Sequence, residues 1–139
     1  MKTLERLIGM AQLTLDQARQ ALTDLEVVRA DLADRVIQID NEIAHEMQAA
    51  QTNPMLTNTL GGFLKAARDR QSRLRISIAE LDGQIEVARE KVSEAFRERK
   101  RYEQVLENRR AERKRRLDRR EQEQMDEIGL RNARKQMGA

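Results

Sequence analysis

Apolar residues in the N-terminal third of the chain recur at alternating spacings of four and three positions. We call this set seam 1; Arg29 is its single polar member, and it spans more than five heptads. Such spacing is typical of a helix that packs along one narrow stripe against a second helix. Seam 1 consists of Leu4, Ile8, Ala11, Leu15, Ala18, Leu22, Leu25, Arg29, Leu32, Val36, Ile39 and Ile43.

A second set with the same spacing, seam 2, follows the only proline of the chain, Pro54, and is polar only at Gln71 and Arg99. Because the intervening connection is about 10 residues long, the two helices are expected to be antiparallel neighbours. Seam 2 consists of Leu60, Leu64, Ala67, Gln71, Leu74, Ile78, Leu81, Ile85, Ala88, Val92, Ala95, Arg99, Tyr102 and Leu106.

These patterns predict an all-α fold, a two-helix antiparallel coiled-coil hairpin with an extended C-terminal helix, as a single domain over residues 1–139. Helix one is expected at about 3–50 with Thr3 as a weak N-cap, the tip at about 51–59, and helix two at about 60–136. If Leu4 faces Leu106 and Ala50 faces Leu60, paired residue numbers add up to 110. Residues of about 107–137 then form an unpaired overhang.

The overhang is expected to be polar, because arginines occupy the seam positions after Leu106: Arg109, Arg113, Arg116 and Arg120. The apolar stripe therefore stops where the partner helix stops. A lone polar helix is marginally stable in water, so we expect this segment to fray when free and to become ordered when another molecule surrounds it.

Composition narrows the range of functions. Charged residues make up 37% of the chain and aromatic residues 2%, which suits a two-helix seam better than a globular core. There is no cysteine, no apolar run approaches the roughly 20 residues that span a bilayer, and the charged N-terminus does not resemble a secretory signal. We therefore expect a soluble cytoplasmic protein without direct membrane insertion.

Positive charge is concentrated in one segment. Residues 109–120 hold eight basic and two acidic side chains, net +6, whereas residues 1–108 are net −2 and residues 121–139 net −1. The run is open to three interpretations: a solvated face, a phosphate-binding surface, or a helix that enters an acidic or carbonyl-lined protein cavity. The absence of aromatic residues from 103 to 139 argues against nucleic acid.

Candidate catalytic groups are sparse. His45 is the only histidine, no Gly-rich phosphate loop is present, and the carboxylates are distributed along helix surfaces, so we predict no enzyme activity, metal site or cofactor. Met55, Leu56 and Phe63 are expected at the hairpin tip, where they either pack together or form a docking patch. Phe96 lies beside the seam and either covers its edge or contacts a partner.

The segment Gln124-Met125-Asp126-Glu127-Ile128-Gly129 resembles the closing segment of the flagellar FliJ family, in which a Gln/Lys-rich helix is followed by Asp-Glu, an aliphatic or aromatic residue and a small residue. The length and the plan of a short helix, a tip and a longer helix are also similar to that family. Stalk proteins of virulence type III secretion share this plan, so the resemblance leaves the two systems open.

The resemblance implies a non-enzymatic stalk whose termini and overhang enter a hexameric export ATPase, promote its assembly and activity, and link it to the export-gate membrane protein. Export chaperones are further candidate partners, and the expected location is peripheral to the export apparatus at the inner membrane. The tip residues would contact the gate. The implied ATPase contacts are Arg109, Arg110, Arg113, Arg116, Arg119, Arg120, Asp126, Glu127 and Ile128. An adaptor coiled coil that pairs between chains, or a nucleic-acid-associated coiled coil, is the alternative.

Overall fold

The computed structural model describes residues 1–138, whose fold is all-α with two long helices, as predicted. A short 3-10 helix between them was not expected from the sequence. Helix α1 runs from Lys2 to Thr52, the 3-10 helix covers Pro54–Leu56, and helix α2 runs from Thr57 to Met137. Two expected boundaries differ. Thr3 lies inside α1, which begins one residue earlier, so it does not serve as the N-cap. Helix α2 begins at Thr57, because the 3-10 helix leads directly into it.

The tip is shaped by Asn53 and Pro54. Asn53 adopts an extended backbone, φ −132° and ψ 102°, as expected for a residue that precedes proline. Its side-chain oxygen accepts a hydrogen bond from the backbone N–H of Met55 at 3.1 Å and so caps the 3-10 helix. The hydroxyls of Thr52 and Thr59 each donate to a backbone carbonyl three residues earlier, at 3.0 Å. The chain therefore leaves one helix and enters the next within four residues, Asn53 to Leu56.

Contacts divide the chain into two compact units, and the first is Leu13–Ala95. In this unit the helices are antiparallel, since Asp40 meets Gln71 and Arg29 meets Asp82. Its core is narrow, and Leu15 is its most deeply buried large side chain, with no exposed surface. The other buried residues of this unit are Ile39, Ala67, Gln71, Ile85, Ala88 and Ala95.

Polar seam positions in this unit bond across the helix pair. The Gln71 side chain is only 4% exposed and donates to the Val36 carbonyl at 3.0 Å and to Asp40 Oδ1 at 2.6 Å. The Arg29 guanidinium donates to the Asp82 carboxylate, which raises the pKa of Arg29, chiefly through the hydrogen bond. Both polar positions are thus satisfied by a side chain of the opposite helix.

The second unit comprises Met1–Gln12 and Phe96–Ala139, described to Gly138. Here Leu4, Ala11 and Leu106 are buried. Arg99 Nη1 donates to Gln12 Oε1 at 2.6 Å, and its Nε lies 3.3 Å from Glu103 Oε1. The two polar partners of Arg99 therefore come one from each helix.

Every seam residue predicted from the sequence, 12 in seam 1 and 14 in seam 2, is buried or half-buried. The cross-helix pairs Gln12–Arg99, Arg29–Asp82 and Asp40–Gln71 have residue numbers that add up to 111, one more than the value expected from the pattern. One register therefore accounts for the contacts in each unit.

Candidate protein-binding surfaces

The C-terminal segment is exposed because the apolar stripe of α2 ends at Leu106. That side chain is 9% exposed, and every described residue from 107 to 138 is exposed. The segment is nevertheless helical to Met137. We call residues 107–138 the C-terminal arm. Residues on every face of the arm are therefore accessible to a partner.

The basic part of the arm makes few contacts with the rest of the chain. Arg110 Nη2 lies 3.2 Å from Glu5 Oε1, and Arg116 pairs with Glu112 at 2.8 Å one turn away. Such exposed ion pairs contribute about 0–1 kcal/mol, so breaking them when a partner binds would cost little. Within residues 1–138 no ion pair engages the remaining predicted contacts, Arg109, Arg113, Arg119 and Arg120.

The distal part of the arm combines carboxylates with exposed apolar side chains. Asp126 accepts a hydrogen bond from Gln122 Nε2 at 3.2 Å, and Glu127 is exposed beside it. Ile128 is 55% exposed. Sequence reasoning did not assign a contact role to Leu117, Met125, Leu130 or Met137, which are 50% to 90% exposed. The sequence feature that could have identified them is an aliphatic residue in a polar helical segment beyond the end of seam 2.

The tip presents two of its three predicted apolar residues. Met55 is 84% exposed and Leu56 is 39% exposed, both in the 3-10 helix, where Asn53 fixes the backbone. Phe63 is half-buried, two turns into α2. The exposed part of the tip surface is therefore Met55 with Leu56, and Phe63 contributes only part of its ring.

Phe96, the other aromatic residue considered, is 39% exposed and carries two cations over its ring. Arg99 Cζ lies 5.2 Å and Lys100 Nζ 5.5 Å from the ring centroid. Cation–π contacts at exposed sites contribute about 0.5–1 kcal/mol. Phe96 thus contacts the seam residue Arg99 while part of its ring stays exposed, which agrees with both of its expected roles.

His45 is exposed on α1, and within residues 1–138 no set of three His, Cys, Asp or Glu side chains could hold a metal ion. No helix found there is long and apolar enough to cross a membrane. Two open grooves lie between the helices, with volumes of about 510 and 500 Å³.

Comparison with known proteins gives one match. The family model described as flagellar FliJ protein matches residues 1–138, essentially the whole chain. Neither a curated protein nor a solved structure matches.

Proposed function

The chain belongs to the flagellar FliJ protein family, and from this membership in flagellar type III export we propose that it is a non-enzymatic stalk of the export apparatus. Its termini and C-terminal arm insert into a hexameric export ATPase and promote the assembly and activity of that ring. Its tip links the ring to the export-gate membrane protein. It acts in the cytoplasm, peripheral to the export apparatus at the inner membrane, where export chaperones are further partners.

The observation that carries this proposal is the exposure of a net +6 helical segment beyond the end of the seam. Arg109, Arg113, Arg116 and Arg120 recur at the seam spacing, so they lie along one stripe of the arm. Two copies of this stripe would repel each other, which disfavours a homodimer zipped through the arm. A guanidinium forms bidentate hydrogen bonds with carboxylates, so the stripe suits a pore lined by acidic or carbonyl groups.

The distal arm extends the same surface with a different chemistry. Ile128, Met125 and Leu130 supply exposed apolar area, and Asp126 and Glu127 lie among them. Burying exposed aliphatic side chains against a partner stabilises the complex by about 25 cal/mol per Å² of apolar surface. We infer that this part of the arm lies against an apolar wall of the ATPase pore, whereas the arginines contact its charged or carbonyl-bearing part.

The tip residues support the second contact of the stalk. Met55 and Leu56 expose apolar surface on a backbone held by Asn53, so little conformational entropy is lost when a partner binds. Met is well suited to adaptable contacts because its side chain is unbranched and polarizable. These residues, with the partly exposed Phe63, are the candidate contacts with the export gate.

The decisive experiment adds the purified chain to its cognate export ATPase and measures hydrolysis and ring assembly. We expect both to increase, and a variant with alanine at Arg109, Arg113, Arg116 and Arg120 to lose most of the increase. The matched control removes four exposed cations outside the arm, at Arg19, Lys65, Arg68 and Arg75, and should retain the effect. Equal loss in both variants would show that net charge alone is responsible, and no stimulation by the intact chain would contradict the stalk proposal.

A further inference from the structure

One of the two open grooves, with a volume of about 510 Å³, lies within the unit Leu13–Ala95 and carries an excess of positive charge. Three arginines and one glutamate line it, net +2. This charge is local, because residues 13–95 as a whole hold 10 basic and 14 acidic side chains, net −4. We call it the basic groove; its lining residues are Arg35, Gln38, Ile39 and Glu42 from α1 and Arg70, Arg73, Leu74 and Ser77 from α2.

The basic groove has an apolar floor between polar walls. Ile39, which is 7% exposed, and the half-buried Leu74 belong to the two seams and form the floor. Gln38 and Ser77 add neutral hydrogen-bonding groups to the walls. An inorganic anion would use only the walls, whereas an occupant that carries both carboxylates and an aliphatic side chain would use the walls and the floor.

The arginines of the groove are available to an incoming carboxylate. Arg73 has no ion-pair partner within residues 1–138. Arg35 lies 3.2 Å from Asp31, and Arg70 lies 3.7 Å from Glu42. All four of these paired side chains are more than half exposed, so each pair contributes about 0–1 kcal/mol and its arginine can exchange partners at little cost.

The spacing of the arginines fits one face of a helix. Residue numbers across the helix pair add up to 111, so Arg73 lies opposite position 38 of α1 and Arg70 opposite position 41. Together with Arg35, the three cations span six residues of α1, about 9 Å at 1.5 Å per residue. Two carboxylates seven residues apart on a helix are separated by about 10 Å, and they flank any residue three or four positions from each.

We propose that the basic groove binds a helical segment of an acidic partner protein, in which two carboxylates two turns apart flank an aliphatic residue. The aliphatic side chain covers Ile39 and Leu74, and the carboxylates accept bidentate hydrogen bonds from the guanidinium groups. Charge complementarity identifies this occupant. The other groove is lined by one Glu80 and one Lys91 and has no net charge, so it does not select an acidic partner. The inference does not depend on the proposed export function.

The probe is a synthetic peptide of about 18 residues, long enough to form an isolated helix. It is built from alanine and glutamine, with glutamates seven positions apart and a leucine between them. We expect its titration into the ¹⁵N-labelled full chain to shift the backbone amide resonances of residues 35–42 and 70–77, followed by nuclear magnetic resonance. A peptide with glutamine in place of glutamate, or alanine in place of leucine, should bind at least about fivefold more weakly, the equivalent of about 1 kcal/mol.

Matched charge variants test the groove. Arg73→Glu should weaken binding of the acidic peptide at least about fivefold, because an attractive pair becomes repulsive. Lys91→Glu makes the same change in net charge at the other groove and should leave the affinity unchanged. Glu42→Gln removes the only carboxylate of the lining and should strengthen binding about two- to fivefold, whereas Glu80→Gln should not. All four positions are exposed, so the variants should fold as the parent does.

Three results would overturn the proposal. The first is an absence of shifts in the groove with the acidic peptide, or equal binding of the glutamine peptide. The second is inorganic phosphate producing the same shifts with the same affinity, which would indicate a simple anion site. The third concerns a second copy of the chain, whose residues 121–128 carry four carboxylates and no cation. Sedimentation equilibrium should give the parent and Arg73→Glu the same mass; self-association that Arg73→Glu abolishes would assign the groove to that segment instead.

Discussion

Gln71 offers a direct test of how polar seam residues act. It is 4% exposed and donates two hydrogen bonds to α1, at 3.0 Å to the Val36 carbonyl and at 2.6 Å to Asp40. A neutral hydrogen bond contributes about 1 kcal/mol net, and a bond to a carboxylate contributes about 1.5–3 kcal/mol. Because Asp40 is exposed and can be rehydrated, we assign its bond about 1 kcal/mol. Gln71→Ala should therefore cost about 2 kcal/mol.

Gln71→Leu should behave differently. It loses the same two bonds, but a buried leucine side chain contributes about 1.5–3 kcal/mol through apolar burial. The Val36 carbonyl lies within α1 and Asp40 is exposed, so neither acceptor is left isolated in an apolar environment. The stability of Gln71→Leu should thus lie within about 1 kcal/mol of the parent, because the gain from burial offsets the lost hydrogen bonds.

Urea unfolding followed by far-UV circular dichroism measures both effects. With a denaturant slope of about 2 kcal/mol per M, the midpoint of Gln71→Ala should fall by about 1 M, and that of Gln71→Leu should change by less than about half of that. Gln84→Ala, at an exposed glutamine of the same helix, is the control and should leave the midpoint unchanged. If Gln71→Leu is destabilised as much as Gln71→Ala, the seam does not accept an apolar side chain at this position and the reasoning fails.

Three further predictions follow from burial, hydrogen bonding and exposure. Leu15→Ala, at a fully buried seam position, should cost about 2–5 kcal/mol in urea unfolding. The hydrogen bond from Tyr102, the only tyrosine, to the Glu98 carboxylate raises the pKa of Tyr102. The stability that this bond contributes is therefore present below the pKa of tyrosine in the unfolded chain and is lost as pH rises through the pKa of Tyr102 in the folded chain. Glu98→Gln should lower the pKa of Tyr102 measured in a tyrosinate absorbance titration. Backbone amides of residues 110–130 should exchange with solvent faster than those of seam 2 in the isolated chain, and equal protection would contradict the expected fraying.

Seam burial could be predicted because it depends on local periodicity. The alternation of three and four around Leu15 or Ile85 is a property of a single helix, and it determines which face any partner must cover. The tip could be predicted for the same reason, since the preference of Asn53 for extended geometry comes from the proline that follows it. Neither feature depends on which residue of the other helix lies opposite.

Partners across the seam could not be assigned individually from the pattern. Gln71 was recognised as a polar seam residue, but its bond to Asp40 depends on the register and on a flanking side chain that has no apolar signal. The same holds for Asp82, which lies off the seam and bonds Arg29. The exposure of the arginines in the arm followed from the end of the stripe. Which surface they contact depends on another molecule, whose residues are not part of this sequence.

The cross-helix contacts become less local with distance from the tip. Asp40 and Gln71 are 31 residues apart in sequence, whereas Glu5 and Arg110 are 105 apart. Loop-closure entropy grows with the logarithm of this separation, so closing the outermost pair first would cost about 1 kcal/mol more than closing the inner pair first. Folding therefore favours zippering outward from the Asn53–Pro54 corner, with Leu4 and Leu106 joining last. During synthesis, most of α2 must leave the ribosome before Leu4 can pack against Leu106. A chain truncated within α2 would therefore form the native tip but leave the amino-terminal end of α1 without its packing partner.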